Sequence, residues 1–354
     1  MPFCRSICSY CDFTHQAYRE KTADAWLQAL AYEIDETDIP DDLETCYIGG
    51  GTPTSLTNSQ LETLLSLLDP FVRKTEEYTV EVNPETLDDE KAETLVHHGI
   101  SRASIGLQTA NEALLKKLGR RHTCNDVRNT VQILKKHGID NISLDLMYSL
   151  PDQTMQDLEN AIAFALSLEP KHLSLYSLTI EENTVFGKTG VEPLDEDMEA
   201  DMYEYICKRL PEEGYMQYEI SNFAKEGYES KHNLVYWHYK DFIGLSCGAS
   251  GKVMHCRYDN AQSLKEYLKD PLMKEYIPLT KEDEMFETVM MGLRLVKGIS
   301  LSGFQARYGC TFEQAFGNKA KKLLEEGKLV IEDDMLRCND QYYHLLNSLL
   351  CDLL

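Results

Sequence analysis

Apolar residues in the first half of the chain follow two alternating rhythms. Short runs read as strands: ETCYIGG (44–50), EYTVEVNP (77–84), SRASIGLQ (101–108), ISLDLMYSLP (142–151) and HLSLYSLTI (172–180). Between them, SQLETLLSLLDPF (59–71), LDDEKAETLVHHG (87–99), NDVRNTVQILKKHG (125–138) and TMQDLENAIAFALSL (154–168) carry apolar residues at helical spacing. Acids crowd the first turn of the 87–99 segment. Asn125 is a candidate N-cap, and Gly99 and Gly138 stand where helices stop. Regular strand–helix alternation with short connections implies parallel strands joined by right-handed crossovers. The count predicts an α/β fold, a barrel or partial (β/α)6 barrel.

The rhythm changes after residue 180. An acidic stretch leads into a helical segment near 196–210, then into the aromatic and polar GYMQYEISNFAKEGYESKHNLVYW (214–237) and the glycine-rich GLSCGASG (244–251). From about residue 280 two helical segments precede KLVIEDDMLRC (328–338), a hairpin turning at Asp333-Asp334, and QYYHLLNSLLCDLL closes the chain as a helix. We read three parts: a barrel over 1–220, a connecting segment over 221–279, and a small α+β, winged-helix-like unit over 280–354.

Composition adds one constraint. The 354 residues include 35 Lys+Arg against 59 Asp+Glu, a net charge of −24. That argues against nucleic acid as a partner, which needs a basic face, and against a polybasic membrane anchor. No apolar run approaches the roughly 18 residues of a membrane span, and the N-terminus lacks the apolar stretch of a signal peptide. A cytoplasmic protein is expected.

Of eleven cysteines, eight are scattered, while Cys4, Cys8 and Cys11 fall within eight residues. An odd, unpatterned set is not a secreted disulfide framework. The C-x-x-x-C-x-x-C cluster, with Tyr10 just before its third thiol, points to a metal. Zinc normally closes a tetrahedron with four ligands, and here only His15 or distant cysteines are candidates for the fourth. On an iron–sulfur cubane, three thiolates instead leave one iron open to a small chelating molecule.

Tyr47-Ile48-Gly49-Gly50-Gly51-Thr52-Pro53-Thr54 joins a strand to a helix, and its glycines let a ligand approach the backbone. Glu81, Gln108, Arg120 and Asp145 lie at or just past strand ends, where barrel enzymes carry their chemistry.

FCRSICSYCDF resembles the cluster loop of the radical S-adenosylmethionine (radical SAM) superfamily. The resemblance continues through YIGGGTPT, YTVEVNP, SIGLQ, LGRRHT, DLMYSLPDQT and the C-terminal segment, over nearly the whole chain. It implies a 4Fe-4S cluster on Cys4, Cys8 and Cys11, whose fourth iron is chelated by the methionine group of SAM. It also implies a partial TIM-like barrel with a HemN-type C-terminal domain. Glu81, Gln108, Arg120 and Asp145 match SAM-contacting positions of the HemN-like branch; Gly50, Gly51 and Thr52 match the family's glycine motif for the SAM methionine, and Tyr10 in the cluster loop is assigned to the cofactor with them. Arg120 is the natural partner of the SAM carboxylate.

Within that branch the pattern is similar to HemW-like haem chaperones. Phe13 stands where the coproporphyrinogen III oxidase HemN has a fourth cysteine, and little chain precedes Cys4. His232-Asn233-Leu234-Val235-Tyr236 matches the HNxxY motif tied to haem in the HemW-like branch, so His232 and Tyr236 are candidate haem ligands. Tyr215, Tyr218, Phe223, Tyr228 and Trp237 are a candidate stacking surface. Cys247 and Cys256 are further conceivable ligands. Ser250 replaces the branch's usual histidine. With so little chain before Cys4, its strand is expected to be short and the cluster loop weakly anchored. The leading expectation is a chaperone, monomeric or homodimeric, that delivers haem to acceptor proteins. The alternatives are a radical SAM oxidase of coproporphyrinogen III and a zinc-stabilised interaction protein.

Overall fold

The computed structural model describes residues 1–353, all but the side chain of His344. The chain opens with β1 (Phe3–Cys4), the cluster loop and β2 (Gln16–Ala17), which pairs with β1 in parallel, followed by α1 (Glu20–Glu36). Alternation then sets in: β3 (Thr45–Ile48), α2 (Asn58–Val72), β4 (Glu77–Val82), α3 (Asp89–His97), β5 (Arg102–Gln108), a short α4 (Glu112–Lys117), α5 (Cys124–Lys136), β6 (Asn141–Tyr148), α6 (Met155–Ser167) and β7 (His172–Ser177). Next come α7 (Val185–Thr189), α8 (Glu196–Arg209), β8 (Met216–Glu219) and β9 (Asn222–Ala224).

Strands β3 to β7 lie side by side in parallel, and β9 then β8 extend the sheet antiparallel to β7. The result is a curled seven-stranded half-barrel with helices outside. The antiparallel end is a departure from uniform βα repetition. The segment between β7 and β9 puts its helices first and then turns back, so its strand returns along β7 in the opposite sense. The α5 N-cap is Thr123, not Asn125. Its hydroxyl accepts from the Asp126 amide while Asp126 returns a bond to the Thr123 amide, a reciprocal box that Asn125 has no partner to match. The same box starts α2 at Thr57/Gln60 and α6 at Thr154/Asp157.

Beyond the sheet, α9 (Lys231–Trp237) leads to an antiparallel three-stranded sheet, β10 (Ser250–Val253), β11 (Cys256–Asn260) and β12 (Lys274–Pro278), with α10 (Leu264–Lys269) between the last two. The barrel's apolar core runs on into Cys247, Ala261, Leu264 and Tyr267. A second core around Met285, Val289, Phe304, Leu323, Leu336 and Leu349 belongs to the C-terminal unit. That unit contains α11 (Lys281–Gly292), β13 (Ile299–Ser300), α12 (Leu301–Tyr308), α13 (Phe312–Glu325), the hairpin β14 (Leu329–Glu332) and β15 (Met335–Cys338), and α14 (Leu346–Leu353). The hairpin turns on Asp333 and Asp334, both with positive φ (47° and 72°), as a two-residue primed turn requires. The closing helix starts only at Leu346, after a 3₁₀ stretch over Asp340–Leu345, and the final Leu354 lies outside the described residues.

β1 is indeed two residues long, but it is not loose. Phe3 is fully buried and meets the Trp26 ring edge-on at 5.6 Å. Losing such a ring typically costs about 3–5 kcal/mol. The Gly51 and Thr52 amides donate to the Met1 and Phe3 carbonyls (2.6 and 2.7 Å). The loop is pinned further on: the Ser9 amide donates to the Leu118 carbonyl, the Phe186 amide to the Ser9 carbonyl, and the Thr14 hydroxyl to the Gln262 carbonyl. Weak anchoring is therefore corrected: burial of one aromatic ring and long-range backbone bonds hold the loop.

Candidate functional site

The carboxyl ends of β3 to β7 open into a cavity of about 440 Å³. Its walls include Cys4, Cys8, Tyr10 and Cys11 from the loop, Gly50, Gly51 and Thr52 after β3, Glu81 on β4, Gln108 on β5, Arg120 after α4, and Asp145 on β6. Every residue singled out for the cluster and SAM thus faces one space, although the positions span 142 residues.

Tight local contacts fix this wall. Thr52 Oγ1 lies 3.6 Å from Cys4 Sγ and accepts from Asn83 Nδ2 at 2.8 Å. Arg120 approaches Cys8 Sγ through Nη1 (3.5 Å) and ties Asn83 Oδ1 and the Gly106 carbonyl through Nη2 (both 2.9 Å). Two glycines make this possible. A Cβ on Gly51 would stand 2.6 Å from the Phe3 carbonyl, and one on Gly106 would stand 2.7 Å from Arg120 Nη2. Tyr10 packs against the small apolar cluster of Leu114, Leu118, Met147 and Phe186.

The three thiols are half-buried and unpaired by disulfides. Burial pushes the Cys11 thiol up to about 11 and raises Cys4 as well. Soft sulfur donors with an arginine beside them suit a cluster that needs deprotonated ligands. Among the described residues, only Glu62, His97 and His98 bring three His, Cys, Asp or Glu ligand atoms within 4.8 Å of one another. At least one pair of the three sulfurs is therefore more than 4.8 Å apart, wider than two thiolates on one zinc ion with Zn–S bonds of about 2.3 Å. A polynuclear cluster fits the donor set better.

The carboxylates are deep. Glu81 accepts from Tyr47 Oη (2.9 Å) and the Gly50 amide (3.1 Å). Burial, opposed by the Tyr47 bond and helped by the Asp145 charge, lifts its carboxyl to about 7. Asp145 accepts from Ser104 Oγ (3.0 and 2.9 Å) and Ser143 Oγ (3.3 Å), and burial raises it too. The folded-state value for Glu81 exceeds the roughly 4.3 of an unfolded glutamate, so the fold holds the extra proton and loses stability as pH rises through that window. Glu81→Gln should therefore gain melting temperature relative to the unaltered chain, in the cofactor-free state, between pH 5 and pH 8. Parallel melting curves across that range check the sign; a pH-independent difference would refute the buried titration.

A second, larger cavity of about 630 Å³ borders the first and shares Phe13, Tyr47 and Gly50 with it. It lies along the β3 edge of the sheet and is lined mainly by apolar groups, among them Trp26, Leu30, Leu68, Phe71 and Phe242. His232 and Tyr236 on α9 face it, with Cys247 and Ser250. Both His232 ring nitrogens are engaged, Nδ1 with Thr45 Oγ1 (2.9 Å) and Nε2 with Tyr236 Oη (2.8 Å), and the ring stacks on Tyr47. Burial and the Arg102 charge hold His232 down at about 4, hence neutral. Burial pushes the Tyr236 phenol up to about 12.

The aromatic platform expected from 214–237 does not assemble. Tyr215 and Phe223 are core residues, Tyr218 Oη bonds His172, and Trp237 lies under Arg294. Tyr228 lies under Lys171, and the five residues sit on separate strands, turns and α9, each packed against a different neighbour. Cys256 lines neither cavity, and Ser250 Oγ donates to Asp259. Sequence reasoning also passed over Tyr47, Asn83, Arg102, Ser104, Ser174 and Tyr176, all on the first cavity's wall. For Arg102, Ser104, Ser174 and Tyr176 the signal was the polar period-two row in RASIGLQ and HLSLYS.

A curled half-barrel whose strand ends gather three loop cysteines defines a radical SAM class protein. Residues 1–165 match the Radical SAM superfamily and residues 279–341 the HemN C-terminal domain. The chain belongs to the heme chaperone HemW family. It is 39% identical to "Heme chaperone HemW" of Lactococcus lactis subsp. lactis over 98% of this chain and 94% of that protein. It is also 39% identical to the Bacillus subtilis HemW (92% and 90%) and 32% identical to that of Escherichia coli (99% and 95%). The solved structure of Escherichia coli coproporphyrinogen III oxidase (HemN) shares the fold, with TM-score 0.86, 20% identity, and coverage of 100% of this chain and 88% of that one. No helix among the described residues is long and apolar enough to cross a membrane.

Proposed function

We propose that this protein is a cytoplasmic haem-binding chaperone that carries a 4Fe-4S cluster and SAM and passes haem to acceptor proteins. The observation that carries the reading is near-full-length identity of up to 39% to curated haem chaperones. Two adjoining cavities support it, one rimmed by three thiols and lined with several charged and hydroxyl side chains, one mainly apolar and of a size that small-molecule sites use.

In this reading Cys4, Cys8 and Cys11 hold the cluster, which when bound supplies an open iron for SAM and a source of one electron. Arg120 pairs with the SAM carboxylate, and Glu81 and Asp145 accept from its amine or ribose hydroxyls. The bare backbone of Gly50 and Gly51, with Thr52, leaves room for the methionine arm, and Gln108 and Tyr10 close the wall. Haem lies in the apolar cavity. His232 is the better axial ligand there, because it is already neutral, whereas a tyrosinate from Tyr236 opposes a phenol raised to about 12. His232 must first give up its bond to Tyr236. Anaerobic reconstitution, then haem titration, transfer to an apo-haemoprotein and a coproporphyrinogen III turnover test on one sample decide the reading. Transfer without turnover supports it; turnover would favour an oxidase.

His232→Ala should weaken haem binding about tenfold or more and leave cluster and SAM binding intact. It should also lower the melting temperature, since the Thr45 and Tyr236 hydroxyls lose their shared partner. An unshifted Soret titration with a lowered melt would assign His232 to structure alone.

A further inference from the structure

The half-barrel encloses a polar interior rather than the branched apolar layers that usually fill barrels. Along β5 the inward row is Arg102, Ser104, Gly106 and Gln108, and Asp145, Ser174 and Tyr176 face it from β6 and β7; all line the first cavity. Gln108 stands at the cluster end. Arg102, the first residue of β5, stands at the floor.

Arg102 is out of keeping with its surroundings. Its side chain is 3% exposed, and Nε is buried with no hydrogen-bond partner. The one carboxylate within 4.0 Å among the described residues is Glu77, at 3.9 Å, beyond hydrogen-bond reach. Glu77 spends its oxygens on the amides of Lys231 and His232 (3.2 and 3.1 Å). Asp145 spends its own on Ser104 and Ser143. A buried guanidinium needs hydrogen-bonded partners, and its planar fork matches a carboxylate. Here the residue lines the cavity instead.

We propose that the floor of the barrel is an acid-binding subsite, distinct from the SAM end of the same cavity, in which Arg102 grips the carboxylate of an aliphatic acid. The guest is either a free small acid or the acid side arm of a larger one. Arg102 supplies the forked donors, and Tyr176 supplies a hydroxyl along the wall. The inference goes beyond the haem reading and does not require it.

Binding of 13C-labelled propionate to the full-length chain, followed by NMR, tests it, with uncharged propionamide as control. Saturable binding of propionate but not propionamide is expected. Arg102→Gln should weaken it at least tenfold, and Arg102→Lys, which keeps the charge and loses the fork, severalfold. Circular dichroism establishes that each variant is folded; should Arg102→Gln not fold, the lysine variant decides. Equal response to acid and amide, or unaltered affinity in a folded Arg102→Gln, would overturn the subsite. Displacement of propionate by saturating SAM would also overturn it, by assigning Arg102 to the SAM carboxylate. Mesoporphyrin IX and its dimethyl ester separate the two sources. A preference for the free acid that disappears in Arg102→Gln supports a side arm, and equal binding of both, with propionate still bound, supports a free acid.

Discussion

Replacing Cys4, Cys8 and Cys11 together with alanine is expected to leave a folded chain that takes up no iron. Reconstitution should load about four irons on the unaltered protein and essentially none on the variant, with loss of the brown iron–sulfur absorbance. The fold should survive because the loop is held by groups other than its thiols. These are the buried Phe3 ring, the Gly51 and Thr52 amides on β1, and the Ser9, Phe186 and Thr14 bonds. Iron and acid-labile sulfide analysis beside a thermal melt measures both halves. Full iron in the triple variant would remove the cluster from this loop, and a single zinc in place of iron would revive the interaction-protein reading.

Loss of SAM affinity should be the next largest effect. Arg120→Ala and Asp145→Ala each remove a charge-assisted contact, typically about 1.5–3 kcal/mol, or roughly 10–150-fold in affinity. The two variants differ in a useful way. Arg120 Nη1 lies 3.5 Å from Cys8 Sγ, so its removal also strips a cation from the cluster's edge and should alter the cluster's reduction potential. Asp145 bonds only to serine hydroxyls and leaves the thiols alone. Calorimetry on reconstituted protein reads the affinities, and unchanged values in both would return these side chains to the barrel's own network.

Much of the fold was legible because strand and helix periods alternate cleanly from 44 to 177 and three helices there begin with a Thr-x-x-Asp/Gln box. The cavity wall was legible where a polar residue ends a strand, as with Glu81, Gln108 and Asp145. What escaped were polar groups whose purpose is set by distant partners. Glu33 looks like one more helix carboxylate, yet it is fully buried and accepts from the Ser246 amide and the Tyr267 hydroxyl, more than 200 residues away. Arg102 sat in a visible alternating row, but nothing local told that it would line the cavity with its Nε unpartnered. The 214–237 aromatics misled for the opposite reason: a cluster in sequence was dispersed over two strands, a turn and a helix with different neighbours.

The bonds that seat the cluster loop also set an order of events in time. The loop that carries the thiols is made some 250 residues before the Gln262 carbonyl that holds Thr14, roughly 10–50 s at ordinary rates of synthesis. Trp26 likewise waits for the Ser246 hydroxyl, 220 residues on. Through that interval three oxidisable sulfurs ride on a nascent chain whose seat does not yet exist. A cluster bound by these thiols would find its complete seat only after synthesis has passed Gln262.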